Sequence, residues 1–190
     1  MPLPLGACII STVDEQAFIS LGSNIEPERY LPQAVSALRE LGRLVAVSAA
    51  YQNPAVSPTA QPDFLNAAAL LDTGHSPQVL RRELRRLETR LGRRRTADKF
   101  APRTIDLDLV LYGSKVIEES GLHIPDPDLL VRAYLAVSVA ELAPDFRHPI
   151  TGERLAAIAS RLAASARLTL HPEVTQQIRL LAARPAVDEA

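Results

Sequence analysis

Cysteine occurs once in this chain, at Cys8, and tryptophan not at all. A single thiol excludes an intramolecular disulfide framework and any cysteine-rich metal site. Aromatic residues make up only 4%, and the strand-like segments carry few of them. That argues against an RNA-binding domain, which stacks bases on sheet aromatics. No apolar run approaches the ~18–20 residues that a membrane-spanning helix needs. The opening MPLPLGACIIST holds a short apolar patch with no Lys or Arg before it, so a secretory signal is not expected. Neither sign of charge dominates: 21 basic and 22 acidic residues leave a net charge of −1, which excludes a wholly basic nucleic-acid binder. These absences leave a cytoplasmic protein, without membrane or nucleic-acid partners, as the expectation; a monomer is expected too, although no sequence feature shows the oligomeric state. Its 190 residues, 47% hydrophobic and 23% charged, suit one globular domain with a sizeable core.

The even balance hides an asymmetry. Residues 81 to 103 hold ten basic residues (Arg81, Arg82, Arg85, Arg86, Arg90, Arg93, Arg94, Arg95, Lys99 and Arg103) against Glu83, Glu88 and Asp98. Such a concentrated positive segment implies an anionic partner. For Arg81 to Arg90 a solvated helix face is the favoured reading. Arg93, Arg95, Lys99 and Arg103 lie beyond the apolar stripe of that helix and lead towards a pair of aspartates.

Hydrophobic spacing organises the rest. Ala17–Leu21 reads as a buried strand, and Gly22–Asn24 as a turn. Leu31, Ala34, Val35, Leu38 and Leu41 follow at helical spacing up to Gly42. Leu44–Tyr51 and Phe64–Leu71 read as strands separated by a proline-rich loop over 52–62, long enough to suggest function. Ser76-Pro77 starts a helix whose stripe is Leu80, Leu84, Leu87 and Leu91. Ile105–Tyr112 is the fourth strand. The order β-α-β-β-α-β predicts an α+β, ferredoxin-like antiparallel sheet with helices on one face, plus a C-terminal helical extension. That extension comprises helices near 131–142 and 154–163. The expected organisation is an N-terminal extension over 1–16, a domain over 17–164, and a weakly patterned, partly disordered tail over 165–190.

The segment PRTIDLDLVLYG, residues 102–113, joins burial to charge. Side chains two apart on a strand share a face, roughly 6–7 Å from each other. Asp106 and Asp108 therefore point one way, and Ile105, Leu107 and Leu109 the other, into the core. Two such carboxylates repel unless a cation sits between them. Hard divalent cations such as magnesium take one or two carboxylates plus substrate phosphates, and a pair of ions can clamp a transferring phosphoryl group. The nearby cations Arg93, Arg95, Lys99 and Arg103 suit phosphoryl transfer, which is mostly positioning and charge neutralisation. Phe64 and Asn66 also share a strand face; an aromatic plane beside an amide can hold a flat heterocycle.

Five blocks in order carry a resemblance: LGSN (21–24), QPDFLNAA (61–68), LETRLGRRR (87–95), PRTIDLDLVLYG (102–113) and IPDPDLLVRAYL (124–135). From about Ala17 to about Ala156 the chain resembles the 6-hydroxymethyl-7,8-dihydropterin pyrophosphokinases of folate synthesis, whose ferredoxin-like fold agrees with the strand order. The resemblance implies transfer of diphosphate from ATP, the co-substrate, to the pterin's hydroxymethyl oxygen, with AMP released. It implies two magnesium ions on Asp106 and Asp108, and catalytic roles for Arg93, Arg103 and the loop residue Lys99. ATP would be met by Glu88, Arg95, Leu109 and Arg132. The pterin would be met by Asn53, Pro54 and Val56 of the loop, by the amide of Asn66, and by Phe64 and Tyr134 as a ring sandwich. Asp126 stands where the family commonly has histidine, Ala101 where it has glycine, and Asn53 and Ser57 where it has threonine and glycine. Asp126 motivates an alternative expectation: a same-fold protein that binds ATP or pterin with weak turnover.

Overall fold

The computed structural model describes residues 15–55, 60–96, 98 and 100–184. Its first strand, β1 (Glu15–Ser23), is longer than the apolar core AFISL predicts, because its flanks also pair. α1 (Pro27–Leu38) follows and buries Leu31, Ala34, Val35 and Leu38. The expected second strand divides into β2 (Arg43–Val47) and β3 (Tyr51–Asn53), both paired antiparallel to β4 (Phe64–Thr73). α2 (Pro77–Arg90) begins as the sequence predicts: the Ser76 side chain accepts from the Val79 N–H at 3.4 Å, with proline in the first turn. β5 (Asp106–Tyr112) closes the ferredoxin-like unit. A hairpin of β6 (Ile117–Glu119) and β7 (Leu122–Ile124) comes next, then a short 3-10 turn over Pro127–Leu130, α3 (Ala133–Leu142) and α4 (Leu155–Ala163).

The main sheet runs β5-β1-β4-β3, with β2 beside β3 along the other half of β4. Period-two alternation divides its side chains between two faces. Ala17, Ile19 and Leu21 join Leu107 and Leu109 under α1 and α2, with Leu31, Leu38, Leu80, Leu84 and Leu87. Each such fully buried aliphatic side chain contributes roughly 1.5–3 kcal/mol. On the opposite face Phe18, Ala68, Leu70 and Val110 pack beneath α3 and α4, through Leu135, Val139 and Ile158. The extension thus covers one half of the second face. The other half carries Ser20, Gly22, Phe64, Asn66, Asp106 and Asp108 and stays open.

The expectation of a weakly patterned tail needs correcting over its described part. Residues 169–170 form β8, which pairs with Tyr51 and Gln52, and Pro172–Ala183 form α5. Val174, Thr175 and Ile178 are buried on α5, and the Thr175 hydroxyl accepts from the Ala50 N–H at 2.9 Å. Arg39 Nη2 donates to the Leu181 and Ala182 carbonyls at 2.6 and 3.0 Å, which satisfies the helix's terminal acceptors. Val174 and Ile178 sit at i, i+4 spacing, but two positions among Thr175, Gln176 and Gln177 make too short a stripe to mark a helix. No helix among the described residues is long and apolar enough to cross a membrane.

His148, between α3 and α4, is buried, 2% exposed. Its Nδ1 accepts from the Ile150 and Thr151 N–H groups at 3.3 and 3.2 Å, while Nε2 meets no partner among the described residues. Burial holds the imidazole below its usual pKa, against the Glu153 charge. Its folded pKa therefore lies below the unfolded value of about 6.5. Above that value neither state binds the proton. As pH falls below it the unfolded chain protonates first, so stability is lost. Urea midpoints measured from pH 7.5 to pH 5 should fall less steeply in His148→Asn, whose carbonyl keeps the turn's two N–H partners. Parallel slopes would contradict this.

Candidate active site

Strand register builds the floor of the site. Gly22 of β1 pairs with Asp106 on one side and Asn66 on the other, and Asn66 pairs with Tyr51. Ser20 pairs with Asp108 on one side and Ala68 on the other. Asn66 and Asp106 are thus two strands apart in one row, roughly 10 Å, with a glycine between them. A Cβ at Gly22 would meet Asn66 Oδ1 at 2.8 Å, so the floor must be bare there for the amide to lie as it does. Asn66 is 5% exposed, and its Nδ2 donates to Asn53 Oδ1 at 2.5 Å. The aspartates face as the sequence predicts: Ile105, Leu107 and Leu109 are buried beneath the sheet, and Asp106 and Asp108 line the open side.

Two clefts open on this floor. The smaller, about 310 Å³, is lined by Asn53, Phe64, Asn66 and Tyr134, together with Gln61 and Phe100. The larger, about 530 Å³, is walled by Arg81, Arg85, Arg93, Arg95, Leu109 and Asp126. They meet at Arg103, Asp106, Asp108 and Asp128, which line both. Arg103 spans the junction. It donates to Asp106, and its guanidinium carbon lies 5.9 Å from the centre of the Phe64 ring. Its backbone N–H donates to Asn24 Oδ1 at 2.8 Å. Asn24 Nδ2 donates in turn to Gln61 Oε1 at 2.9 Å, so one buried amide ties the loop before β4 to the segment before β5.

Glu88 differs from expectation. Its side chain is 2% exposed, and it is absent from both cleft walls. It accepts from Arg93 at 2.5 Å, Arg95 at 2.6 Å and the Leu107 N–H at 2.9 Å. A carboxylate buried this way needs its partners, so Glu88 holds the two arginines in place instead of facing a ligand. Arg93 also donates to Asp106. Arg132, expected on the nucleotide side, lines the smaller cleft beside Asp128. Pro54 lines neither cleft, and its carbonyl accepts from Asn53 Nδ2 at 3.0 Å. Lys99 and Val56 lie outside the described residues.

Sequence reading treated Arg81 to Arg90 as one solvated face. The helical period splits it. Arg82, Arg86 and Arg90 are exposed and pair with Glu83 or Glu40, whereas Arg81 and Arg85 turn to the larger cleft. Gln61, Ser20 and Asp128 are further lining residues that sequence reasoning missed. The LGSN and QPDF blocks were the available signal for Gln61 and for Gly22.

The electrostatics separate the two aspartates. Burial would raise the Asp106 carboxyl, but the Arg93 and Arg103 guanidiniums outweigh it and hold it below the usual carboxylate range. Asp108 is open to the cleft but lies deep among protein atoms. That desolvation, together with the charges of Asp106, Glu88 and Asp126, pushes its pKa up to about 7 against Arg93. Asp108 is the carboxylate the chain leaves uncompensated: it makes no hydrogen bond or ion pair among the described residues. The described residues assemble no group of three or more His, Cys, Asp or Glu that could hold a metal. Two strand carboxylates suit a hard divalent cation that completes its shell with water and phosphate oxygens, and Asp108 has the unmet charge such a cation would satisfy.

Comparison with known proteins shows the family. A family model described as 7,8-dihydro-6-hydroxymethylpterin-pyrophosphokinase matches residues 18–144. The 2-amino-4-hydroxy-6-hydroxymethyldihydropteridine pyrophosphokinase of Pseudomonas aeruginosa is 37% identical over 138 residues, covering 71% of this chain and 85% of that protein. The protein of the same name from Haemophilus influenzae is 38% identical over 136 residues, covering 70% and 84%. Among solved structures, Plasmodium falciparum HPPK-DHPS with pteroate superposes with a TM-score of 0.64 over 80% of this chain, at 11% identity. That likeness concerns the fold alone, and this chain matches only 45% of that longer protein.

Proposed function

Because the chain belongs to the 7,8-dihydro-6-hydroxymethylpterin-pyrophosphokinase family, we propose that its larger cleft takes ATP and its smaller cleft takes 6-hydroxymethyl-7,8-dihydropterin. The protein is a pyrophosphokinase of folate biosynthesis. Diphosphate passes from ATP to the hydroxymethyl oxygen of the pterin, and AMP leaves. The observation that carries the assignment of clefts is their meeting point. An amide-and-aromatic cleft and an arginine cleft share Asp106 and Asp108 on one strand.

Each wall supports its ligand by its own chemistry. Asn66 and Asn53 offer donors and acceptors to the edge of a flat heterocycle, and Phe64 and Tyr134 offer ring faces. Arg93, Arg95 and Arg103 present forks that match phosphate oxygens bidentately. Glu88 fixes two of them before the nucleotide arrives, which lowers the cost of arranging charge during transfer. Asp106 and Asp108 would hold magnesium; bound there, the ions neutralise charge on the nucleotide's phosphate oxygens. Arg81 and Arg85 extend the positive wall beyond the transfer point.

The test is direct. Purified protein supplied with ATP, magnesium and 6-hydroxymethyl-7,8-dihydropterin should form AMP and pterin diphosphate in equal amounts. It should form neither when the pterin or the magnesium is omitted. No AMP in the complete mixture would sink the reading.

A further inference from the structure

Three carboxylates stand where the clefts join: Asp106, Asp108 and Asp128. Asp106 is gripped by Arg93 and Arg103, and with Asp108 it is assigned above to divalent cations. Asp128 is different. Its ion-pair partner, Arg132 Nε, lies at 3.7 Å, beyond hydrogen-bond range, and its side chain is 49% exposed. Its backbone is nevertheless held firmly. The Asp128 N–H donates to Asp126 Oδ1 at 2.8 Å. The Asp128 carbonyl accepts from the Val131 and Arg132 N–H groups at 3.1 and 2.8 Å. An anchored backbone thus presents a loosely held carboxylate to the space where acceptor and donor would meet.

Diphosphate transfer needs such a group. The hydroxymethyl oxygen forms a bond to the β-phosphorus. The bond from that phosphorus to the oxygen bridging it to the α-phosphorus breaks, and its electron pair leaves with AMP. The hydroxyl proton must pass to an acceptor. Resting on the function proposed above, we propose that the Asp128 carboxylate takes that proton and that Asp126, as cap of the 3-10 turn, positions it. Asp126 then has a structural purpose at the place where the family pattern has histidine. An aspartate receiving a substrate hydroxyl's proton has precedent in phosphoryl transfer generally.

Charged and titratable groups face Asp128 from several elements: Arg132 and Asp126 on its own segment, Tyr134 on α3, and Arg103, Asp106 and Asp108 across the junction. The experiment is a single-turnover measurement on wild type, Asp128→Asn and Asp128→Glu with magnesium, ATP and the pterin, from pH 5 to pH 9. Asp128→Asn should slow transfer about 100-fold at pH 8 and change equilibrium binding of either substrate less than twofold. Asp128→Glu should recover part of the rate. An Asp128→Asn rate equal to wild type would overturn the inference. So would a variant that binds pterin more weakly at an unchanged transfer rate, which would make Asp128 only a partner for Arg132. In both cases an active wild type leaves the pyrophosphokinase reading standing, whereas a wild type that forms no AMP would remove both.

Discussion

Asp108→Asn should cut magnesium-dependent AMP formation by about 10³-fold or more and leave the fold at least as stable as before. The two halves of that expectation share one cause. The Asp108 carboxylate makes no hydrogen bond or ion pair among the described residues, so nothing structural is lost with its charge. Its raised pKa, about 7, means that the folded chain prefers it protonated. Ionisation therefore removes stability as pH rises from the unfolded value near 4 towards 7. Asparagine cannot ionise, so at pH 8 the variant should melt no lower than wild type, while a cation-binding carboxylate is gone. A group kept at a cost to stability and needed for turnover is the signature of a functional site. AMP assays with thermal melts at pH 8 check both halves. Undiminished turnover in magnesium would end the proposed cation role, and a sharply lower melting temperature would show that Asp108 has structural partners.

Arg93→Met should have the opposite signature, with activity and stability falling together. Arg93 is 11% exposed and bonds Glu88, whose side chain is 2% exposed, as well as Asp106. Without Arg93, among the described residues Glu88 keeps only Arg95 and the Leu107 N–H, and Asp106 keeps only Arg103, so both stay desolvated and undercompensated. Removing one member of a buried ionic set costs about 3–5 kcal/mol at most. For a chain of this length that lowers the melting temperature by roughly 10 °C. The cause is testable in a double variant. Adding Glu88→Gln removes the stranded charge, and the amide oxygen can still accept from the Leu107 N–H. Stability should return in large part and turnover should not, because Asp106 still lacks Arg93. If the double variant is as unstable as the single one, lost packing rather than stranded charge is responsible.

Much of this arrangement is readable along the chain. Helical spacing located α1 and α2, the Ser76-Pro77 pair marked where α2 begins, and strand alternation turned Asp106 and Asp108 away from Leu107. The failures were of another kind. Glu88 read as a ligand residue because its neighbours in sequence are the arginines; its burial depends on β5, which supplies the Leu107 N–H. Arg81 and Arg85 read as solvated because the apolar stripe does not say what lies beside a helix. α5 was missed because its anchoring residues, Arg39 and Ala50, are more than a hundred positions away.

By itself, then, the sequence determined the elements, the face on which each side chain emerges and, through five ordered blocks, the family. These depend on backbone periodicity and local steric preference, which act over a few residues. Only the tertiary structure decided that a glycine separates Asn66 from Asp106, that Glu88 serves the arginines, and that Asp128 stands where two clefts meet. Those facts arise from strand pairing and burial between distant segments, and desolvation gives a charge its meaning only once its surroundings are assembled.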